Sequence, residues 1–528
     1  MSNRGTILLS IVAHARAGAL QKAWDLFRDA NLDIVKDDPA VLTVLGRLLK
    51  DEAARAQGSE QRKFFRQAAT AYDQAGQITG QTYPLINAAT LSLLAGRGTK
   101  ARALARTILE RPDDAAETPY WRAATRAEAH LLLAQIDQAR SKLAAAISVA
   151  PKAFEDHAAT LRQFALILGH FGQDKAWLDD FRPPRTMHFA GSLRLKASDE
   201  KRVSNELRQI LREEKVGTGF GALAAGADIL TAEALLEAGA DLHVVLPAPA
   251  DIFRRISVAA YGTRWARRYD AVLASAASCR VLSTGSVSAF PLTVRLATEI
   301  AMGGAVMSAR QLQTEAIEFV VIGSRARTGR DPGYSSWIAS YWRKTGRRQR
   351  LMRVDSIPAT AMATGSLSHG SAAKLAAVLR IEFPPLTIPE TEHLLRCARA
   401  QLSASNSKAL VNPVWTGDAL IVAYASPDMA ADAMVGQLTN AIQQGGRATG
   451  HYGLVYPFRN PFDGSRYFVP HPADVLQTMA GLTPEGTCYA TEDFIAAMHA
   501  RGTGHSTEYV GDCCIDGQRS PTRLFSVR

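Results

Sequence analysis

Three alanines, Ala101, Ala139 and Ala176, sit at matching places in similar segments and stand 38 and 37 residues apart. The stretches LAGRGTKARALARTILERP (94–112) and LAQIDQARSKLAAAISVAP (133–151) share one layout: a helix end, a short turn, an alanine where the next helix makes contact, and a closing proline. GHFGQDKAWLDDFRPP (169–184) begins the same way, and AGALQKAWDLFRDA (17–30) is an earlier copy. Apolar positions over residues 1–182 recur at helical spacing, with almost no strand alternation. A period of this length fits one helical hairpin, and hairpins with small residues at their contacts stack in a row. Residues 1–182 are therefore predicted to form an all-α helical-repeat solenoid, a shape that presents a surface to a protein partner. The unit resembles a divergent tetratricopeptide repeat.

FRPPR (181–185) should end this region. Consecutive prolines lack amide donors and push the residues before them into extended geometry. Beyond it the pattern changes to strands alternating with helices. TMHFAG (186–191) reads as a strand and SDEKRVSNELRQILREEK (198–215) as an amphipathic helix. GTGFGALAAGADILTAEALLEAGADLHVVLP (217–247) reads as a glycine-rich loop, a helix and a buried strand. WARRYDAVLASAASCRVLS (265–283), a helix ending at TEIAMG (298–303), EFVVIG (318–323) and SSWIASYWRKTG (335–346) continue the rhythm. This predicts an α/β domain, a Rossmann-like parallel sheet with βαβ crossovers, over 186–357. The Ser/Ala/Thr/Gly-rich stretch DSIPATAMATGSLSHGSAA (355–373) is a second linker. Residues 374–528 mix strands and helices as an α+β domain. Three domains suit a chain of 528 residues, too long for a single core.

In the middle segment Gly219, Gly221 and Gly226 permit positive φ and close approach of backbone to a ligand, and the amides at the following helix start suit phosphate. The spacing does not match GxGxxG with a ribose acid, so a standard dinucleotide fold is not expected. The wider string, from HFAG (188–191) through GFGALAAGAD to FRRISVAAYGTRWARRYDAVLASA, resembles the SLOG superfamily of Rossmann-like nucleotide-binding domains over roughly 186–357. The resemblance implies binding of a nucleotide-derived ligand by Gly191, Gly219, Gly221, Gly226, Asp228 and Glu233, with Gly333, Ser335 and Ser336 from a second loop. Members that cleave N-glycosidic bonds carry PGGxGTxxE in that loop. GRDPGYSSWIASYW (329–342) keeps the glycine and small hydroxyls but has no such glutamate. Binding without hydrolysis is the expectation.

The last segment opens a hairpin at PVWTGDALIVAY (413–424), with Asp418 at its tip. TGDALIVAY, RATGHYGLVY (447–456), LTPEGTCYATEDF (482–494) and EYVGD (508–512) together resemble the catalytic domain of class III adenylate/guanylate cyclases, which implies a ferredoxin-like fold and a homodimer. Cyclisation of a nucleoside triphosphate needs metal ions held by two carboxylates, and donors for charge developing at the α-phosphate. By the family pattern the metal carboxylates fall on Asp418 and, conservatively altered, Glu382 in LRIEFPPLT. Pro384 and Pro385 replace backbone whose amides face phosphate. The base-reading lysine falls on Val414, and the Asn-x-x-x-Arg pair on Asp474 and Thr478. A vestigial metal pair without catalysts is expected. No cofactor is required by the sequence, and Mg²⁺ enters only if the cyclase site works.

The remaining features exclude more than they assign. No apolar run spans a membrane and the first residues lack a signal pattern, so a cytoplasmic protein is expected. Five cysteines without a CxxC pair argue against a disulfide framework, and Cys513 and Cys514 read as small buried residues. The net charge of +11 includes nine Lys/Arg against Asp331 between Arg325 and Arg353, a stretch able to meet phosphates but not part of any DNA-reading motif. Nucleic acid is not the expected partner. The sequence thus reads as a nucleotide-signalling protein: a repeat scaffold for a protein partner, a ligand-sensing domain and a dimerising pseudo-cyclase. An active cyclase using ATP or GTP is the alternative.

Overall fold

The computed structural model describes residues 3–16, 18–112, 117–193, 195–282, 290–324, 334–355, 373–384, 386–404, 409–410, 413–437, 446–462, 464, 466–470, 474–514 and 521–528. It divides into two compact units, Met1–Pro183 and Pro184–Arg528. No described helix is long and apolar enough to cross a membrane.

The first unit is helical throughout: α1 (Asn3–Arg16), α2 (Leu20–Asp29), α3 (Pro39–Arg55), α4 (Gly58–Thr79), α5 (Thr82–Leu94), α6 (Gly98–Glu110), α7 (Pro119–Leu132), α8 (Ile136–Val149) and α9 (Phe154–Phe171). One turn recurs in it. Gly18, Gly96, Ala134 and Gly172 all take a left-handed conformation after a helix. The next amide then reaches back to the last turn: Ala19 to the His14 carbonyl (3.0 Å), Arg97 to Ser92 (2.8 Å), Gln135 to His130 (3.0 Å) and Gln173 to Leu168 (2.9 Å). This closure satisfies carbonyls that the helix end leaves without donors. It sets the hairpin angle, so it carries the repeat as much as the contact alanines do. Ala101 and Ala139 are fully buried on α6 and α8. Ala176 departs from the expectation. It is exposed, and it starts a 3₁₀ turn, Ala176–Phe181, instead of an α-helix. The prolines that follow stop the copy after one turn, and Leu178 becomes its buried anchor.

The second unit contains two sheets. The first is wholly parallel, with strands β1 (Arg185–Gly191), β2 (Val216–Gly221), β3 (Asp241–Leu246), β4 (Ser278–Val281), β5 (Ala316–Ser324) and β6 (Gln349–Asp355) in the order β4-β3-β2-β1-β5-β6. Its connections include α10 (Ala197–Glu213), α11 (Ala227–Glu237), α12 (Ala250–Ser257), α13 (Thr263–Ala274), α14 (Phe290–Gln311) and α15 (Tyr334–Arg343). GTGFG, expected as a loop, is strand β2 itself. Its glycines face neighbours so close that larger side chains do not fit: a Cβ at Gly219 would lie 2.3 Å from Leu235, and at Gly221 2.6 Å from Phe189.

The second sheet is mixed. It runs β13-β14-β12-β10-β7-β9-β8, with β11 paired to the far part of β10. Its strands are β7 (Lys374–Glu382), β8 (Val414–Trp415), β9 (Ala419–Tyr424), β10 (Arg447–Arg459), β11 (Arg466–Pro470), β12 (Cys488–Thr491), β13 (Thr507–Cys513) and β14 (Thr522–Val527). Helix α16 (Ile388–Ala404) joins β7 to β8, and α17 (Pro427–Asp432) follows β9. The helices α18 (Val475–Ala480) and α19 (Glu492–Ala500) flank β12 in sequence. Of the helix expected over 428–445, the described part is α17 and a π turn, Ala433–Gln437. Cys513 is buried as expected, whereas Cys514 is exposed.

The two sheets share helix α14. It does not end at Gly303 but runs on to Gln311. One side packs on β1, β2, β3 and β5, and the other on α19, β7 and β10. Gly303 and Gly304 explain the continuation, because they thin the helix on both sides. A Cβ on Gly303 would lie 1.8 Å from the Ala496 carbonyl oxygen of α19, and one on Gly304 3.0 Å from Phe220. Leu296, Ala297, Ile300 and Ala301 of α14 lie in one core with Leu379, Tyr452, Phe494 and Phe525 of the mixed sheet and its helices.

Two substitutions test these constraints. Left-handed geometry costs a non-glycine residue about 1 kcal/mol, so Ala134→Gly should raise unfolding free energy by roughly 0.5–1 kcal/mol in denaturant titration. No gain would mean that this turn is not left-handed. Gly303→Val should cost at least about 3 kcal/mol, read as a large fall in the melting temperature of the second unit; an unchanged midpoint would rule out the close α14–α19 crossing.

Candidate functional site

The expected ligand residues gather at the carboxyl end of the parallel sheet. Gly191 ends β1 and Gly221 ends β2, while Asp228 stands in the first turn of α11. Gly226 has a φ of 84°, and its missing Cβ leaves room for the Ser192 carbonyl, which accepts from the Ala227 amide at 3.1 Å. At Gly191 a Cβ would meet Ala227 at 2.5 Å. The space that Gly191, Gly219, Gly221 and Gly226 leave open is thus filled by protein atoms. They bring α11 close against β1 and β2, and so set the height of its first turn above the strands.

Asp228 is buried there. Its Oδ2 accepts from the Ala224 amide at 3.2 Å, and the Gly191 backbone amide also faces the carboxyl and acts against the effect of burial. Burial pushes its carboxyl up to about 8. Glu233, further along α11, is turned to another task. It holds Arg268 of α13 through both carboxylate oxygens, Oε1 at 2.7 Å from Nε. Arg268 also pairs with Glu200 at 3.4 Å and lies over Trp265. Ser335 and Ser336 are half-buried in the first turn of α15. Beside them the Tyr334 hydroxyl donates to the Val294 carbonyl (3.1 Å) and meets Thr298 Oγ1 (2.7 Å), which ties α15 to α14. Gly333 lies outside the described residues, as do 325–332. A larger groove, about 690 Å³ between α10 and edge strand β6, lies toward the opposite, amino end of the strands; its polar lining, including Arg202, Glu206, Glu213 and Arg350, is partly paired within itself.

Three residues of the described part of the basic stretch, Arg347, Arg348 and Arg350, are engaged within the fold, whereas Arg343, Lys344 and Arg353 are exposed. Arg347 donates to the carbonyls of His499 (2.9 Å) and Ala500 (3.3 Å) and lies over Trp342. Arg348 and Arg350 converge on buried Glu214, at 3.0 and 2.6 Å.

The expected metal pair occupies the mixed sheet. Glu382 ends β7, and Asp418 precedes β9 in the turn where Gly417 takes a φ of 94°. Between them lies Arg380, which the sequence reading passed over. Its Nε donates to Glu382 Oε1 at 2.9 Å and its Nη2 to Asp418 Oδ2 at 2.7 Å. Arg447, opposite Glu382 on β10, takes the other oxygen, Oε2, at 3.2 Å. It also donates to the carbonyls of Ala480 and Thr483. Thr416 Oγ1 donates to Asp418 Oδ1 at 3.1 Å. Each carboxylate is thus engaged by a cationic or hydroxyl group, although Thr416 Oγ1 lies equally close to the Ala419 carbonyl and the Asp418 side chain is 64% exposed. Among the described residues no group of three or more His, Cys, Asp or Glu is arranged to hold a metal. A signal for Arg380 did exist. Residues i and i+2 of a strand share a face, so LRIEF sets Arg380 beside Glu382.

Val414, at the base-reading position, is half-buried on β8 opposite Ile421. Asp474 and Thr478 occupy the start of α18, linked by the Thr478 amide to the Asp474 carbonyl at 2.9 Å. Pro384 follows β7; Pro385 lies outside the described residues.

A family model described as Tetratricopeptide Repeats-Sensor matches residues 5–92, which hold α1 to most of α5. Among solved structures, the adenylyl cyclase CyaB from P. aeruginosa is similar at 12% identity, covering 30% of this chain and 94% of that one, with a TM-score of 0.25. The guanylate cyclase domain of RhGC from Catenaria anguillulae, solved in complex with GTP, is similar at 11% identity over 29% of this chain and 96% of its own, also at 0.25. No curated protein matches.

The buried acid at the strand ends gives a pH signature. A carboxyl held protonated in the folded chain stabilises it below the ordinary value of 3.8, and that contribution is lost as pH rises toward about 8. Unfolding free energy measured across that window should fall more steeply with pH for the wild type than for Asp228→Asn. Equal slopes would show that Asp228 is ionised or hydrated in the folded chain.

Proposed function

We propose that this chain is a nucleotide-signalling protein in which the parallel sheet senses a nucleotide-derived ligand. In this reading, the mixed sheet is a class III cyclase-like domain that regulates or dimerises without catalysis, and the N-terminal repeats engage a protein partner. The observation that carries the sensor reading is the strand order. It reverses between β1 and β5, whose following segments lead to α10 and to α15 on opposite faces. Open α/β sheets take ligands in the crevice outside the carboxyl ends of their strands at such a point. Asp228 is buried in the first turn of α11, which follows β2, and in this reading it faces the ligand there, whereas Glu233 serves as an anchor for α13. The Rossmann-like, SLOG-type assignment is consistent with this arrangement.

For the C-terminal domain, the order β10-β7-β9-β8 is supporting, with α16 between the first two of these strands in sequence and α17 after the hairpin. It is the 4-1-3-2 order of a ferredoxin-like βαββαβ unit. The pseudo-enzyme reading draws on Val414, Asp474 and Thr478 at positions that need a lysine and transition-state donors, and on the arginine between Glu382 and Asp418. The dimer reading draws on the β10–β11 arm, whose tip residue Phe462 is 95% exposed.

Calorimetric titration of the full chain with ADP-ribose and a panel of cyclic nucleotides is the direct test. Micromolar binding that weakens in Asp228→Asn is expected, and no binding of any of them removes the sensor reading. Incubation with ATP or GTP and Mg²⁺ or Mn²⁺, with products read by mass spectrometry, should yield no cyclic nucleotide. A product that disappears in Asp418→Ala would establish the active cyclase instead.

A further inference from the structure

We infer that Arg380 is the resident cation of the Glu382–Asp418 pair, and that its guanidinium closes this pair to divalent metal ions. The inference deepens the pseudo-cyclase reading, because it concerns the half-site that this chain would bring to any cyclase pairing, but its argument is geometric. A carboxylate at the end of β7 and another in the turn before β9 point at one spot, and a cation already fills it. Arg380 donates to Glu382 at 2.9 Å and to Asp418 at 2.7 Å; its own side chain is only 9% exposed, whereas that of Asp418 is 64% exposed. Such paired donation to carboxylates is the strong form of the hydrogen bond and fits the planar guanidinium.

The alternative occupant is poorly served. A divalent ion takes six or more oxygen ligands, and Mg²⁺ sheds its water reluctantly. To enter, it would have to expel Arg380. The displaced side chain starts near the carboxyl end of β7, between β9 and β10, and would lose both carboxylate partners. A guanidinium held in a buried position without those partners is strongly disfavoured. Nor is Glu382 free to turn: Arg447 holds its second oxygen and is itself fixed by two carbonyls at the end of α18. Thr416 Oγ1 lies 3.1 Å from Asp418 Oδ1 and equally close to the Ala419 carbonyl.

This closure has a consequence for complementation. A partner molecule can bring missing donors from outside, but it cannot supply a metal pair that an internal residue has already neutralised. Loss of the base reader and of the transition-state donors would be repairable in trans; the Arg380 clamp would not.

Electron paramagnetic resonance titration of Mn²⁺ into the full chain reads this directly. Wild type and Asp418→Asn should titrate alike, with no bound Mn²⁺ that depends on Asp418. Arg380→Met should gain a site at least about tenfold tighter than any in the wild type, equivalent to about 1.4 kcal/mol. Adding Asp418→Asn to it should abolish that site. The inference is overturned if wild type binds Mn²⁺ at a site that Asp418→Asn or Glu382→Gln removes. It is equally overturned if Arg380→Met, folded by circular dichroism, gains no site. Should Arg380→Met not fold, the comparison of wild type with Asp418→Asn decides alone. Mn²⁺ bound by the wild type at this pair would leave the crevice reading untouched, and failure of nucleotide binding at the crevice would leave the Mn²⁺ result untouched.

Discussion

A single carboxylate without access to water organises the second unit. Glu299 sits on the side of α14 that faces the mixed sheet and is completely buried. It accepts from Tyr452 of β10 at 2.7 Å and pairs with Arg295 at 3.0 Å and with Arg501, beyond α19, at 3.5 Å. A lone charge in that place would be prohibitive, so these three donors and the carboxylate define one another's positions. Removing Glu299 would leave Arg295 and Arg501 without this shared anion. The node adds a directional constraint on how α14 sits against the mixed sheet, beside its apolar contacts.

The node also connects the places where chemistry is expected. Arg295 lies over Trp337 of α15, and Arg501 lies over Tyr341 of the same helix and pairs with Asp428 of α17 at 3.4 Å. Packed groups therefore run from the helix that begins beside the β1–β5 crevice to the helix that follows the β8–β9 hairpin. The carboxylate pair itself is on the opposite face of the mixed sheet. Leu379 and Ile381 point toward α14, and Arg380 and Glu382 alternate away from it. The carboxyl ends of the parallel strands and the arginine-filled pair thus lie on different sides of the mixed sheet.

How much of this was legible in the sequence depended on range. Local patterns sufficed for the helical repeat, for the alternation of strands and helices, and for the turn at Gly417. They failed where the deciding contact came from far along the chain. GTGFG looked like a loop because glycine usually means a turn, yet here Leu235 and Phe189 demand its missing side chains inside a strand. Gly303 and Gly304 looked like a helix end for the same reason, and Ala496 shows why they are not. Ala176 carried the repeat's signature, but the prolines at 183–184 stopped its helix before it formed. At the candidate sites the residue types were visible and their partners were not. Glu233 reads from sequence as a ligand residue, but Arg268, 35 residues away, holds it. Arg380 needed only the two-residue period of a strand, but attention to acidic residues alone conceals a basic one.

The doubly used helix α14 has a meaning for how the chain is made. The parallel sheet and everything that pairs with it lie within 185–355, so that sheet is complete while the mixed sheet is still being synthesised. Until then the side of α14 that meets the mixed sheet lacks its cover, and Glu299 lies at the edge of that side. Phe525 and Val527 of β14 belong to the core that finally covers it. The nascent protein thus spends the synthesis of more than a hundred and fifty residues (374–527) with a sticky, half-charged face exposed to the cell. Glu299 has access to water while that side is open and is enclosed only once Tyr452 and Arg501 arrive, so its final environment depends on residues made last.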